Sequence, residues 1–187
     1  GNALSWLTPF SIFTGVALVI GYGLLGSTWL IGKTEGDLQD WMFKAAKGLA
    51  VGLLAAIIVV SLWTPLLQPE IAARWFSMPN LLLLAPIPIL TAAVALLLLL
   101  ALKVRREGAP FFLSISLFLL SYLGLAVSLW PYIVPRAFTI WEAAAPPKTQ
   151  IFLLVGALLF VPLVLTYTII VYRVFRGKVR HGEGYHH

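Results

Sequence analysis

Five times along this chain, more than twenty consecutive residues pass without a Lys, Arg, Asp or Glu: Gly1 to Gly32, Gly48 to Pro69, Trp75 to Leu102, Gly108 to Pro135 and Thr149 to Tyr172. A bilayer presents about 30 Å of hydrocarbon, which a helix rising about 1.5 Å per residue crosses with roughly 20 apolar residues. Every window meets that length. They predict helices near residues 10–32, 38–63, 81–103, 110–130 and 149–175. The expected fold is an all-α, polytopic transmembrane helix bundle of five spans, a single membrane domain over residues 1–187.

Composition removes the competing architectures. With 60% apolar and 11% charged residues and a mean hydropathy of +0.96, the chain lies far outside the range of a soluble domain. A soluble helical core would need a polar face at a period near 3.6, and Leu96-Leu97-Leu98-Leu99-Leu100 has none. A transmembrane β-barrel would need segments of about ten residues that alternate lipid-facing and lumen-facing side chains, and these runs are unbroken.

The net charge of +6 could suggest a nucleic-acid partner, but the placement of the charges points to topology instead. If the chain starts outside, the inner segments carry Lys33, Lys44, Lys47, Lys103, Arg105, Arg106, Arg173, Arg176, Lys178 and Arg180, and the outer ones only Arg74, Arg136 and Lys148. The positive-inside rule then predicts an external N-terminus and a cytoplasmic C-terminus, with no nucleic acid involved. Trp6, Trp29, Trp41, Trp63, Trp75, Trp130 and Trp141 fall at or near predicted helix ends, where an indole anchors at the membrane surface.

Small residues at i and i+4, namely Ala17 with Gly21, Gly23 with Ser27 and Gly48 with Gly52, would let helix backbones approach closely. Pro86, Pro88 and Pro162 predict a kink or a late helix start. The expected outer loops, 64–80 and 131–148, are longer than the inner 104–109 turn, and the second is rich in Pro and aromatic residues and is expected to pack on the bundle mouth. An odd number of spans, a first residue that is not Met and an uncharged external start lead us to expect part of a longer chain, and no cleavable signal is evident.

The chemical inventory is informative for what it lacks. A haem or metal site inside the membrane needs His, Cys, Met, Tyr or carboxylate ligands, yet there is no Cys, and His181, His186 and His187 all follow the last span. Met42 and Met78 sit at predicted membrane edges, and the tyrosines are more simply hydrogen-bonding groups between helices. No charged residue is expected near the bilayer midplane, where proton relays and ion sites place them. No catalytic, cofactor or metal ligand is therefore assigned within this chain.

Two polar clusters remain. Gly32-Lys33-Thr34-Glu35-Gly36-Asp37 leaves the first span on the inner side; read as structure, it is a solvated turn in which Asp37 or Thr34 caps the next helix. Thr139-Ile140-Trp141-Glu142 places a carboxylate in an outer loop almost free of acids, where it could bond loop backbone or pass protons. Lys33, Glu35, Trp141 and Glu142 are the candidates for a proton path or a subunit interface.

These clusters belong to a wider pattern. Leu7-Thr8-Pro9-Phe10 leads to Gly21-Tyr22-Gly23-Leu24-Leu25-Gly26-Ser27-Thr28-Trp29-Leu30 and Lys33-Thr34-Glu35-Gly36. Trp130-Pro131-Tyr132-Ile133-Val134-Pro135 is followed by Thr139-Ile140-Trp141-Glu142-Ala143-Ala144, and then by Tyr167 and Tyr172-Arg173-Val174-Phe175-Arg176-Gly177-Lys178-Val179. In order and spacing this succession resembles subunit II of the cytochrome bd quinol oxidases, including the cyanide-insensitive branch.

The resemblance implies an eight-span subunit of which this chain is the last five spans, the remainder of subunit II being one partner. It implies that two haems b and one haem d reside in a second partner, subunit I, which also carries the quinol-oxidising loop. The implied reaction oxidises quinol and reduces O2 to water in the respiratory chain of a bacterial cytoplasmic (inner) membrane, contributing to proton-motive force. Subunit II supports the haem-bearing partner, and a small third subunit is left open. Two other classes compete: a transporter or channel domain, which would show broken helices and a polar midplane site, and a structural or assembly membrane protein with no enzymatic role.

Overall fold

The computed structural model describes residues 7–67, 69–134, 137–175 and 177. Trp6, Pro135, Arg136, Arg176, Lys178, Arg180 and the three histidines lie outside the described residues, as does the side chain of Arg74. Among the described residues, five helical segments are long and apolar enough to cross a membrane: Pro9–Lys33, Gly36–Leu67, Asn80–Lys103, Ala109–Leu129 and Pro147–Val174. They coincide with the five expected spans. The described residues divide into two compact units, one over residues 7–128 and the other over residues 129–177.

The first unit begins with α1 (Pro9–Lys33), whose start is fixed by a capping box. The Thr8 hydroxyl accepts from the Ser11 amide at 3.1 Å, and the Ser11 hydroxyl accepts from the Thr8 amide at 2.9 Å, so two orphan donors of the first turn are satisfied. At the other end Thr34 is the C-cap, its amide donating to the Leu30 carbonyl at 2.9 Å and its hydroxyl to the same oxygen at 2.8 Å. Thr34 thus closes α1 and does not open the next helix. Asp37 lies in the first turn of α2 (Gly36–Leu67), where a carboxylate complements the helix dipole. Gly36 turns the chain with φ +68, a conformation that suits a residue without Cβ.

With 32 residues, α2 is about 48 Å long at 1.5 Å per residue and overshoots the hydrocarbon. Its charges, Asp37, Asp40, Lys44 and Lys47, are all confined to its first twelve residues and exposed. The sequence reading ended this helix at 63, before a proline. The helix instead continues through Pro65 to Leu67, since a proline there forfeits a single backbone bond close to the helix end. The expected 64–80 loop also contains a short helix, α3 (Pro69–Phe76), opened by a proline at its first position.

The third span is broken where prolines were expected to break it. α4 (Asn80–Leu84) and α5 (Pro86–Lys103) meet at Ala85, because Pro86 and Pro88 have no N–H for the carbonyls of Leu82 and Leu84. α6 (Ala109–Leu129) follows.

The core of this unit is a set of one-sided stripes. Gly21, Leu24, Thr28 and Ile31 on α1, Phe43, Ala46 and Ala50 on α2, Ala95, Leu98 and Leu102 on α5, and Pro110, Ser114 and Leu117 on α6 are buried, at the three- and four-residue steps that place side chains on one helix face. Small and hydroxylated residues stand among them, as close packing in a membrane favours. The buried hydroxyls bond their own helices: Thr28 donates to the Leu24 carbonyl at 2.7 Å and Ser114 to that of Pro110 at 2.8 Å. A Cβ on Gly21 would meet Phe118 at 3.4 Å, and one on Gly23 would meet Leu49 at 3.3 Å, so both mark close approaches. Gly48 marks none, with nothing within 4 Å of its Cβ position.

In the second unit a two-stranded hairpin is the one departure from an all-helical reading among the described residues. β1 (Tyr132–Val134) and β2 (Phe138–Thr139) pair antiparallel, Tyr132 opposite Thr139 and Val134 opposite Phe138. A single helical turn, α7 (Ile140–Ala143), leads to α8 (Pro147–Val174), which carries Pro162 in its interior.

Candidate functional site

The sequence candidates fall into two groups, one in each unit. In the first, Lys33 is the last residue of α1 and Glu35 stands exposed in the short connection to α2. The Lys33 ammonium lies 5.0 Å from the centroid of the Trp29 ring, one helical turn back; the cation–π attraction draws it along the helix surface. Trp29 in turn packs on Phe111 of α6, with ring centroids 4.9 Å apart.

The turn between α5 and α6 closes onto this end. Gln39 Nε2 donates to the Ile31 carbonyl at 2.9 Å and to Glu107 Oε1 at 3.2 Å, tying α1, α2 and the α5–α6 turn together. The Arg105 guanidinium pairs with the Asp40 carboxylate and stacks on Phe43, 4.6 Å from the ring centroid. Residues 33–40 and 104–108 therefore share one end of the unit, as alternating spans require. Sequence reasoning missed Gln39, Asp40, Arg105 and Glu107 as partners. The signal was present, because the charge pattern assigned both connections to the same side of the membrane.

Between the end of α1 and the start of α6 lies a cleft of about 150 Å³, lined by Trp29, Gly32, Lys33, Glu107, Phe111 and Phe112 among others. Pockets that enclose a drug-sized ligand run to about 300–1,000 Å³, so this one can receive a headgroup or a ring but cannot enclose a cofactor.

In the second unit, Trp141 and Glu142 lie on α7, both exposed. The Thr139 amide and hydroxyl each donate to Glu142 Oε2 at 2.8 Å, and the Glu142 amide returns a bond to the Thr139 hydroxyl at 3.3 Å. These donors, the backbone amide foremost, stabilise the ionised carboxylate and hold its pKa below the ordinary 4.5. Trp141 packs edge-on against Trp130, centroids 5.6 Å apart, and the Ile140 amide reaches back to the Pro131 carbonyl at 2.9 Å. Chemically this is a closed loop held by an anion, whose carboxylate gives up its charge only in acid.

Haem or metal ligation asks for imidazole, thiolate, thioether or clustered carboxylates. Among the described residues no group of three or more His, Cys, Asp or Glu could hold a metal ion. Met42 is buried in the core and Met78 is exposed. The described residues do not fit a haem centre.

Comparison with known proteins adds the remaining finding. The family model for cytochrome bd terminal oxidase subunit II matches residues 1–175. The chain is also similar to a probable cytochrome oxidase subunit 2 of Haemophilus influenzae, at 24% identity over 207 aligned positions, covering 96% of this chain and 55% of that protein. The chain thus spans about half the length of that relative.

Proposed function

The chain belongs to the cytochrome bd terminal oxidase subunit II family, and from that premise we propose that it is the non-haem-ligating subunit of a quinol:O2 oxidoreductase in a bacterial cytoplasmic membrane. Its partner on this reading is the haem-bearing subunit I, with two haems b and one haem d, and the complex oxidises quinol, reduces O2 to water and contributes to proton-motive force. The observation that carries the reading is the family match over residues 1–175, joined to five membrane-length helices among the described residues.

The work of this chain is then indirect. Its apolar spans and small-residue stripes hold a partner's cofactor helices and keep bulk water from them. Lys33 and Glu35, at the tied end of the first unit, and Trp141 and Glu142, in the capped loop, serve as interface residues. A carboxylate held ionised by two donors, as Glu142 is, suits an anchor better than a proton carrier working near neutral pH.

Copurification tests this. A tagged chain expressed in its native membrane should bring down a haem-bearing membrane subunit and support quinol-dependent oxygen uptake. Recovery of a haem-free complex with no such uptake would favour the transport or assembly readings.

A further inference from the structure

Positive charge is gathered at the end of the first unit where residues 33–40 and 104–108 meet. Lys44 and Lys47 are exposed on α2, and Lys103, Arg105 and Arg106 are exposed at the end of α5 and in the turn after it. α5 packs on α2, and Arg105 fastens the turn there by pairing with Asp40 and stacking 4.6 Å from the Phe43 ring centroid. Phe43 adjoins Lys44 and lies one helical turn from Lys47, so this clamp sets the cations of the turn beside those of α2. We infer that the patch binds one anionic phospholipid, with its phosphate among Lys44, Lys47, Lys103 and Arg106 and its acyl chains along the exposed face of α2.

Charge balance is the first argument. Asp40 is committed to Arg105. Glu107, the carboxylate of the turn, accepts from Gln39, which also donates to the Ile31 carbonyl of α1, so it stands on the α1 side. Among the described residues, Lys44, Lys47, Lys103 and Arg106 take part in no ion pair. Four like charges held together repel one another, and an anion laid among them relieves the repulsion.

Depth is the second. Along α2 the acids come first, Asp37 and Asp40, then Lys44 and Lys47, and from Gly48 to Pro69 no charge follows. Lys103 likewise closes a membrane-length segment. The cations thus stand at the hydrocarbon–water boundary, at the level of lipid phosphates, and the acids lie farther into the water.

The same helix face requires an anion with tails. Lys44, Lys47, Val51, Ile58 and Leu62 follow one another at the three-, four- and seven-residue steps of a single face, and all three apolar members are exposed. A free phosphate or an acidic peptide would use the cations and leave this apolar stripe bare. A zwitterionic headgroup would bring a further cation to a patch that already has an excess.

The inference holds whichever complex the chain joins, because its test is read on lipid and not on oxygen uptake. The intact complex, delipidated in mild detergent, is titrated with phosphatidylglycerol and followed by native mass spectrometry. Wild type should take up one tightly held phosphatidylglycerol. Lys47→Gln and Arg106→Gln should each weaken that binding about fivefold, the contribution of one basic residue at an anionic headgroup. Lys47→Arg should keep it, and so should Lys148→Gln, which removes the same charge from the second unit.

A second measurement needs no variant. Phosphatidylglycerol added to the delipidated wild-type complex should raise its melting temperature, by less as salt is added, and phosphatidylcholine of the same chain length should not. Equal response to the two lipids, binding unchanged in either patch variant, an equal loss in Lys148→Gln, or displacement of the lipid by inorganic phosphate would overturn the inference. So would carbodiimide crosslinking of Lys47 to a carboxylate of a copurifying subunit, which would put protein on the patch in place of lipid.

Discussion

The Arg105 guanidinium is paired with the Asp40 carboxylate across 65 residues of sequence, and it is this contact that closes the α5–α6 turn onto the start of α2. Arg105 also occupies a position that usually belongs to glycine. Its φ is +54, and the Arg106 amide donates to the Ala101 carbonyl at 2.9 Å, the bond that closes a Schellman motif around a left-handed residue.

Those two facts predict different outcomes for two truncations. The ion pair is half exposed, with relative accessibilities of 51% and 57%, so it contributes about 0–1 kcal/mol, and the stacking on Phe43 about 0.5–1 kcal/mol. The left-handed backbone costs a residue with Cβ about 1–2 kcal/mol. Arg105→Ala should therefore lower the melting temperature of the chain in detergent, while Arg105→Gly should nearly restore it and Asp40→Asn should lower it only slightly. A glycine variant less stable than the alanine variant would show that relief of the left-handed strain is smaller than glycine's extra chain entropy, and would remove the strain from the account.

Packing at Gly21 gives a second test. The approach of Phe118 to within 3.4 Å of its Cβ position leaves room for a methyl group and no more. Gly21→Ala should be tolerated and Gly21→Leu should cost about 1–3 kcal/mol through overpacking. Gly48→Leu, facing open space, should be close to neutral. Thermal melts of the three variants decide it, and equal losses at both positions would contradict the stripes described for α1 and α2.

The third prediction concerns acid. The carboxyl pKa of Glu142 is depressed below 4.5 in the folded loop. Its contribution to loop order is therefore fully present above the unfolded value and is lost as pH falls through the lower folded value. Hydrogen exchange at residues 138–143 should be slow at pH 6 and speed up, beyond the intrinsic pH effect, below about pH 4.5. Glu142→Gln keeps a capping side chain but should abolish that acid dependence. Trp141→Ala should loosen the same amides at every pH, and an unchanged exchange pattern in it would remove the Trp130 contact from the account.

Much of this was legible in the chain itself. Uninterrupted apolar length and charge spacing located all five spans within a few residues, and Pro86 with Pro88 announced the break at Ala85. Three things were not legible. The run through Pro65 to Leu67 lies beyond the expected end at 63, because a proline near a helix end merely removes one bond and leaves no clear mark of where the helix stops. The choice between Asp37 and Thr34 as cap of the next helix stays open in the sequence, because a hydroxyl next to two helices can serve either, and only the structure shows that Thr34 donates to the Leu30 carbonyl. The links from Gln39 to Glu107 and from Asp40 to Arg105 depend on which connections meet in space, which a single sequence states only through its charge alternation.

The central claim is that this chain carries no haem of its own and serves a partner that does. The most direct measurement is a reduced-minus-oxidised absorption spectrum of the chain purified in detergent, alone and then with its copurifying membrane partner. The account predicts no haem bands alone and both b- and d-type bands with the partner. Haem bound by the chain alone, or a haem-free complex without quinol-dependent oxygen uptake, would contradict it.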